Sequence, residues 1–135
     1  MNTTVKEPIR PQTESAEGSR TRLKLVTSII RPEQMGTVTE ALNQLNIVGG
    51  FTVTEAHGSG RFEPILRTFR GIAFAVRLAS EKRIEIIVPE DRVNEVVESI
   101  RQHARTGRVG DGKIWITDVS TVVRIRTGER GSAAL

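Results

Sequence analysis

The chain has no cysteine. That excludes a disulfide framework and any thiolate-ligated metal centre. Tyrosine is also absent, and aromatic residues make up only 4% of the 135 residues. Proteins that bind single-stranded nucleic acid stack bases on aromatic side chains, so this scarcity argues against that class. It does so despite a sequence pI of about 10.3. The formal net charge is only +4, which a mixed-charge, solvated surface explains. No N-terminal apolar run reads as a leader, and no segment is long and apolar enough to span a bilayer. The expectation is a cytoplasmic protein without membrane insertion. The two histidines, His57 and His103, are far apart and offer neither a metal-ligand spacing nor a nucleophile–base pair. The paired acids Glu90 and Asp91 sit where a helix should begin, and capping accounts for them. No catalytic residue and no metal site is expected, so the chain does not read as an enzyme.

What the chain does have is a glycine-rich turn, Thr106-Gly107-Arg108-Val109-Gly110-Asp111-Gly112-Lys113. Glycines permit positive φ and a close approach of backbone to ligand. Successive backbone N–H groups in such a turn form an anion-binding nest. Arg108 and Lys113 add positive charge, which suits a polyphosphate. Gly107, Gly112 and Lys113 also satisfy G-x-x-x-x-G-K. The next residue is Ile114 rather than Ser or Thr, and Ile114-Trp115-Ile116 reads as a strand where a P-loop needs a helix. A P-loop NTPase is therefore rejected. On these residues alone, a phosphate cradle and a solvated hairpin turn both stand.

Residues 1–20 are rich in Thr, Ser, Glu, Pro and Gly and predict a disordered extension ahead of one domain, 21–135. Leu23 to Ile30 has strand propensity. Pro32-Glu33 starts a helix in which Val38, Ala41, Leu42 and Leu45 form one apolar face, and Gly49-Gly50 ends it. Phe51 to His57 alternates as a half-buried strand, and Gly58 to Arg61 breaks it. Residues 61–71 show no clean period and predict a long loop, a feature that is usually functional. Phe74 to Leu78 and Arg83 to Val88 read as strands. Pro89-Glu90-Asp91 opens a second helix with Val93, Val96, Val97 and Ile100 on one face. Lys113 to Thr117 and Val122 to Arg126 predict two more strands.

Ile29-Ile30-Arg31-Pro32-Glu33 recurs as Ile86-Ile87-Val88-Pro89-Glu90, each time running from strand to proline-started helix. Two such units in tandem make an α+β, ferredoxin-like β-α-β-β-α-β double repeat, here with an extra C-terminal strand. Apolar residues on both faces of the strands favour an oligomer that buries the face the helices leave open.

From Leu23 to Leu135 the chain resembles the P-II nitrogen-regulatory signal proteins. The resemblance rests on Thr106 to Ile114 and on Val123-Arg124-Ile125-Arg126-Thr127-Gly128-Glu129. Thr52-Val53-Thr54-Glu55 and Gly58-Ser59-Gly60-Arg61 add to it. It implies a homotrimer with ATP or ADP in clefts between subunits, ATP bringing Mg where it binds. It also implies a protruding T-loop, here about 60–78, that docks onto a target transporter or enzyme. Gly110, Asp111, Gly112 and Lys113 fall on the family's phosphate-binding B-loop, within 106–113. Gly58, Gly60 and Arg61 fall at the T-loop base. Thr52, Glu85 and Ile87 fall where the family holds the adenine base. Arg124 and Arg126, ahead of the C-terminal loop 127–135, fall on arginines that reach a neighbouring subunit's nucleotide. If they lie on one strand, their side chains share a face and both can meet one phosphate chain.

The chain also departs from the family's pattern. The tyrosine that many bacterial members uridylylate falls on Phe74, and a serine phosphorylated in some relatives falls on Ile72. A glutamine that helps hold Mg and 2-oxoglutarate falls on Phe62, and a lysine that pairs with that ligand falls on Glu81. Two like charges about 4 Å apart repel by roughly 1–4 kcal/mol, so the usual 2-oxoglutarate site is not expected. In the T-loop, Phe62, Ile65, Leu66, Phe69 and Phe74 are interspersed with Arg61, Arg67, Arg70 and Arg77, a mixture suited to a protein partner. Three readings compete with a nitrogen-linked nucleotide sensor. One is a regulator of inorganic-carbon metabolism that binds ADP, AMP or bicarbonate. Another is a ferredoxin-like nucleic-acid module. The third is a small nucleotide hydrolase, for which no water-activating group is found.

Overall fold

Strand β1, Leu23–Ile30, forms where branched and apolar residues alternate between two faces. Val26 and Ile30 share a face with Ile84, Ile86 and Val88 of its antiparallel neighbour β5, Ala79–Pro89. Two helices bury that face, α1 over Met35–Gln44 and α2 over Val93–Ala104. Val38, Ala41 and Leu42 are the buried stripe of α1, and Val93, Val96, Ile100 and Ala104 that of α2. The core is this contact between helix stripes and central strands, with Leu45, Val53, Val97 and Ile114 packed at its rim. The computed structural model describes residues 21–59, 65–76 and 78–135, and for 65–69 and 73–76 it describes the backbone. The predicted N-terminal extension lies outside these residues.

The four long strands lie in the order β2-β5-β1-β6, with β2 spanning Thr52–Gly58 and β6 spanning Gly112–Val119. Each neighbouring pair is antiparallel. The units β1-α1-β2 and β5-α2-β6 therefore interleave, the ferredoxin-like arrangement that the double repeat predicts. The repeat is offset by one residue. Each helix is entered through a single 3-10 turn, Pro32–Gln34 or Glu90–Arg92. The residues leading into these turns are Arg31 (φ −62, ψ 140) and Pro89 (φ −59, ψ 147). Arg31, rather than Pro32, stands where Pro89 does.

Three expectations need correction. The stretch read as an irregular loop contains a hairpin, β3 (Ile65–Phe69) paired with β4 (Ile72–Val76). Its two-residue turn has Arg70 at φ 51 and Gly71 at φ 78, positive at both positions as a type I′ turn requires. An arginine stands where Asn or Asp would have signalled the turn. Next, β5 begins at Ala79 rather than Arg83, because Gly58 to Glu55 of β2 pair with Ala79 to Lys82. Finally, no strand forms over Val122–Arg126. That segment turns back on itself, with a single bridge between Val123 and Arg130. The Arg124 amide donates to the Glu129 carbonyl at 2.9 Å, and the Gly128 amide to the Arg124 carbonyl at 2.8 Å.

Candidate functional site

The glycine-rich turn joins α2 to β6 and is built around one carboxylate. Thr106 and Gly107 donate their backbone amides to Asp111 Oδ2 at 2.8 and 2.9 Å. The Thr106 hydroxyl and Arg31 Nε donate to Oδ1, the latter at 2.8 Å. Partial burial alone would favour the neutral acid. Arg31, the Thr106 hydroxyl and the two amides outweigh it and hold Asp111 far below the ordinary carboxylate range. Arg31 Nη2 also donates to the Val109 carbonyl at 2.7 Å. The loop is thus closed from inside. Asp111, expected on the phosphate side, has both oxygens turned into this network.

Gly107, Gly110 and Gly112 all have positive φ, at 86°, 100° and 99°. Gly112 also meets β1 so closely that a methyl there would overlap the Ile29 carbonyl oxygen and sit 2.7 Å from its carbon. Lys113 follows in β6 and is exposed. A strand after the glycines agrees with the rejection of a P-loop. A fixed turn of this kind, with an exposed lysine ammonium beside it, has the chemistry of an anion cradle.

The other predicted residues do not gather round this turn. Thr52 pairs with Glu85, which pairs with Thr27, which pairs with Trp115. This row crosses the face that the helices leave open, and Ile87 lies one step along the same face of β5. Thr52 and the glycine turn therefore lie at opposite edges of the sheet. Three strand spacings of about 4.8 Å separate those edges by roughly 14 Å. Gly58 lies at the exit of β2, where a methyl would come within 2.5 Å of a Glu81 carboxylate oxygen. Gly60 and Arg61 lie outside the described residues.

Arg124 and Arg126 do not share a strand face, because their segment is a turn. The Arg124 guanidinium donates through Nη1 to Glu129 Oε1 at 3.1 Å and through Nη2 to the Leu135 carbonyl. Leu135 packs on Gly49, 3.4 Å from where a Cβ would project. The C-terminal loop thus lies beside the turn into β2, on the Thr52 side. Arg126 is exposed.

Of the predicted partner-binding residues, Phe62 lies outside the described residues, as does Arg77. Ile65, Leu66, Arg67, Phe69 and Phe74 are placed by backbone in the β3–β4 hairpin, and Arg70 in its turn. Ile72 beside that turn is 70% exposed. His57 is exposed at the end of β2. His103, expected on an exposed helix face, is half-buried, with Nδ1 2.7 Å from the Ser99 carbonyl. Among the described residues no group of three or more His, Asp or Glu could hold a metal ion. No described helix is long and apolar enough to cross a membrane. Sequence reading missed the structural part of Arg31 and of Thr106. Arg31 carries no local signal, since its partners lie 78 and 80 residues away.

The sequence profile for "Nitrogen regulatory protein P-II" matches residues 23–129. A nitrogen regulatory protein P-II from Azospirillum brasilense is 42% identical over 113 residues, which cover 84% of this chain and all of that protein. Nitrogen regulatory protein GlnK of Escherichia coli K12 is 40% identical over the same coverage. Among solved structures, Arabidopsis thaliana PII bound to citrate is similar at a TM-score of 0.68 and 34% identity, over 85% of this chain and 94% of that one. The Bacillus subtilis GlnK–ATP complex is similar at 0.68 and 28% identity, over 85% and 99%. Fold, glycine turn and sequence agree along the length of the domain, and the chain belongs to the nitrogen regulatory P-II family.

Proposed function

We propose that this protein is an adenine-nucleotide sensor that binds ATP or ADP between subunits and controls a partner protein through the β3–β4 hairpin. The observation that carries the reading is the glycine turn, fixed from within by Asp111 and flanked by exposed Lys113. Similarity to a GlnK that was solved with ATP supports it. A single chain has Gly110 to Lys113 at one edge and Thr52, Glu85 and Arg124 toward the other. A head-to-tail ring brings the first edge of one copy against the second edge of the next. This is the arrangement of a homotrimer with composite clefts. ATP and ADP would differ in how they bias the hairpin, to the extent of their differential affinity for its conformations.

The usual 2-oxoglutarate response is not expected. The Glu81 carboxylate lies over Gly58 at the hairpin base, where an anionic ligand would meet it. Nor can the hairpin be nucleotidylated on a tyrosine, because Phe74 has no hydroxyl and the chain has no tyrosine. Loss of the usual 2-oxoglutarate residues, with Phe62 and Glu81 at their positions, favours a second reading. In it the regulated process is inorganic-carbon rather than nitrogen metabolism, and ADP or AMP and bicarbonate are ligands, the bicarbonate held away from the Glu81 carboxylate.

Calorimetric titration with ATP and ADP tests the proposal, each with and without Mg, 2-oxoglutarate and bicarbonate. Nucleotide binding without 2-oxoglutarate enhancement is the expected result. Absence of nucleotide binding would reject the proposal, and strong synergy with 2-oxoglutarate would reject the part assigned to Glu81. Lys113→Ala should weaken ADP binding about tenfold, the scale of one charge-assisted hydrogen bond. Arg130→Ala should stay within about twofold, as exposed charges generally do. Equal losses in the two variants would show that the phosphate site is elsewhere.

The C-terminal loop gives a smaller prediction of opposite sign. Glu129 occupies a guanidinium edge that a phosphate would need. Glu129→Gln should therefore tighten ADP binding by about two- to threefold, since exposed ion pairs are worth about 0.2–1 kcal/mol. Weaker binding in that variant would mean that Glu129 positions Arg124 rather than competing for it.

A further inference from the structure

The phosphate turn depends on a residue from the first strand–helix junction. Arg31 Nε donates to Asp111 at 2.8 Å, and its Nη2 donates to the Val109 carbonyl at 2.7 Å. These two acceptors flank Gly110, whose φ is 100°. One planar guanidinium therefore grips the chain on both sides of the residue that turns it. Arginine's fork can satisfy two such acceptors in fixed geometry, which a lysine ammonium on a flexible stem does not.

The junction itself does not require this side chain. In the other half of the double repeat, Pro89 holds the same place with nearly the same backbone angles. A residue with no guanidinium thus enters the second helix equally well. The Arg31 guanidinium is directed across to the turn, where it is largely shielded, with a side-chain exposure of 19%. Its remaining charged neighbour, Glu33, is 3.9 Å from Nη1.

We propose that Arg31 is a positioning residue for nucleotide binding: by clamping Val109 and Asp111 it fixes the conformation of Gly110 and so sets the segment Gly110 to Lys113 in the shape that receives the phosphates. The proposal rests on the nucleotide reading above. It does not place Arg31 in contact with the ligand.

The test is ADP titration of the full chain as wild type, Arg31→Met and Arg31→Lys, with the melting temperature of each. Arg31→Met should bind ADP about tenfold more weakly, the scale of one lost charge-assisted hydrogen bond, and melt within a few degrees of wild type. Arg31→Lys should recover part of the loss, because an ammonium can reach Asp111 but cannot span both acceptors. Unchanged affinity in Arg31→Met would overturn the clamp and leave the nucleotide reading intact. Full recovery in Arg31→Lys would also overturn it, since charge alone would then suffice. If Arg31→Met does not fold, Arg31→Lys decides: weakened binding supports the clamp and wild-type binding overturns it. Failure of the wild type to bind ADP would overturn the nucleotide reading, and the clamp with it.

Discussion

Gly112→Ala should cost this protein about 4 kcal/mol of stability, near the upper end for a single substitution. Two independent effects add. The residue has φ 99°, where an L-side chain is strained by roughly 1–2 kcal/mol. The added methyl would also occupy the space of the Ile29 carbonyl oxygen. Both neighbours are backbone, so no side chain can swing aside. Gly112 must pull away from Ile30, its partner across the β1–β6 ladder, and the end of the edge strand frays with the turn it anchors. For a domain of this size the loss corresponds to a fall in melting temperature of roughly 15 °C. Gly36→Ala is the internal control. It lies in α1 with nothing within 4 Å of where a Cβ would project and no positive φ, so the change should stabilise by about 0.5–1 kcal/mol. Thermal denaturation of both variants, followed by circular dichroism, checks the pair. A Gly112→Ala melting point within a few degrees of wild type would show that β1 and β6 can separate there at little cost.

The sequence carries the helices clearly because burial on a helix face is periodic. Val38, Ala41 and Leu42, and Val93, Val96 and Ile100, are residues that the spacing selects and that are buried, whereas Leu45 and Val97, also selected, are half-buried and Ala104 is buried without being selected. Strands with one face on the helices are legible for the same reason. The hairpin is hard to read because Arg70 adopts positive φ without the Asn or Asp that usually marks such a turn. The C-terminal segment misleads in the other direction. Val122, Val123 and Ile125 have strand propensity, but the chain finds partners within itself at Glu129 and Gly131. Propensity alone does not decide a strand that lacks a neighbouring edge.

Legibility of the candidate site divides along a similar line. The glycines announce a turn, and their positive φ values follow from local chain geometry. What the turn rests on is not local. Asp111 has the look of a ligand-facing acid in a glycine loop, yet its carboxylate serves the loop itself. Likewise, Thr52 and Lys113 could be assigned to one site by resemblance, but the strand order puts them at opposite edges of a single sheet. The composite site proposed between copies rests on that order, which no linear pattern contains.

Asp111→Asn should weaken ADP binding by about 100-fold, the equivalent of roughly 2.7 kcal/mol, although the two side chains have nearly the same shape. The carboxylate accepts at both oxygens, from two backbone amides, a hydroxyl and a guanidinium. An amide offers one oxygen and one NH2. Whichever way it is turned, its donor faces other donors, and buried polar groups lose their partners. Arg31 loses its charged acceptor, and the side-chain NH2 displaces an acceptor either from both the Thr106 and Gly107 amides or from Arg31 Nε and the Thr106 hydroxyl. The turn should then sample conformations other than the one its internal hydrogen bonds fix. The effect has a definite dependence on pH. Asp111 is held ionised in the folded state far below its ordinary range, whereas in the unfolded chain it titrates near 3.8. Its contribution is therefore fully present above about pH 5 and declines as pH falls toward the lowered folded value. The gap in stability between wild type and Asp111→Asn should stay constant from pH 8 to about pH 5 and narrow in more acid solution. Denaturant unfolding at several pH values, with ADP titration at pH 7, reads both effects. An Asn variant that binds ADP like wild type would mean that the turn holds its shape without the carboxylate, and that the glycines and Lys113 suffice.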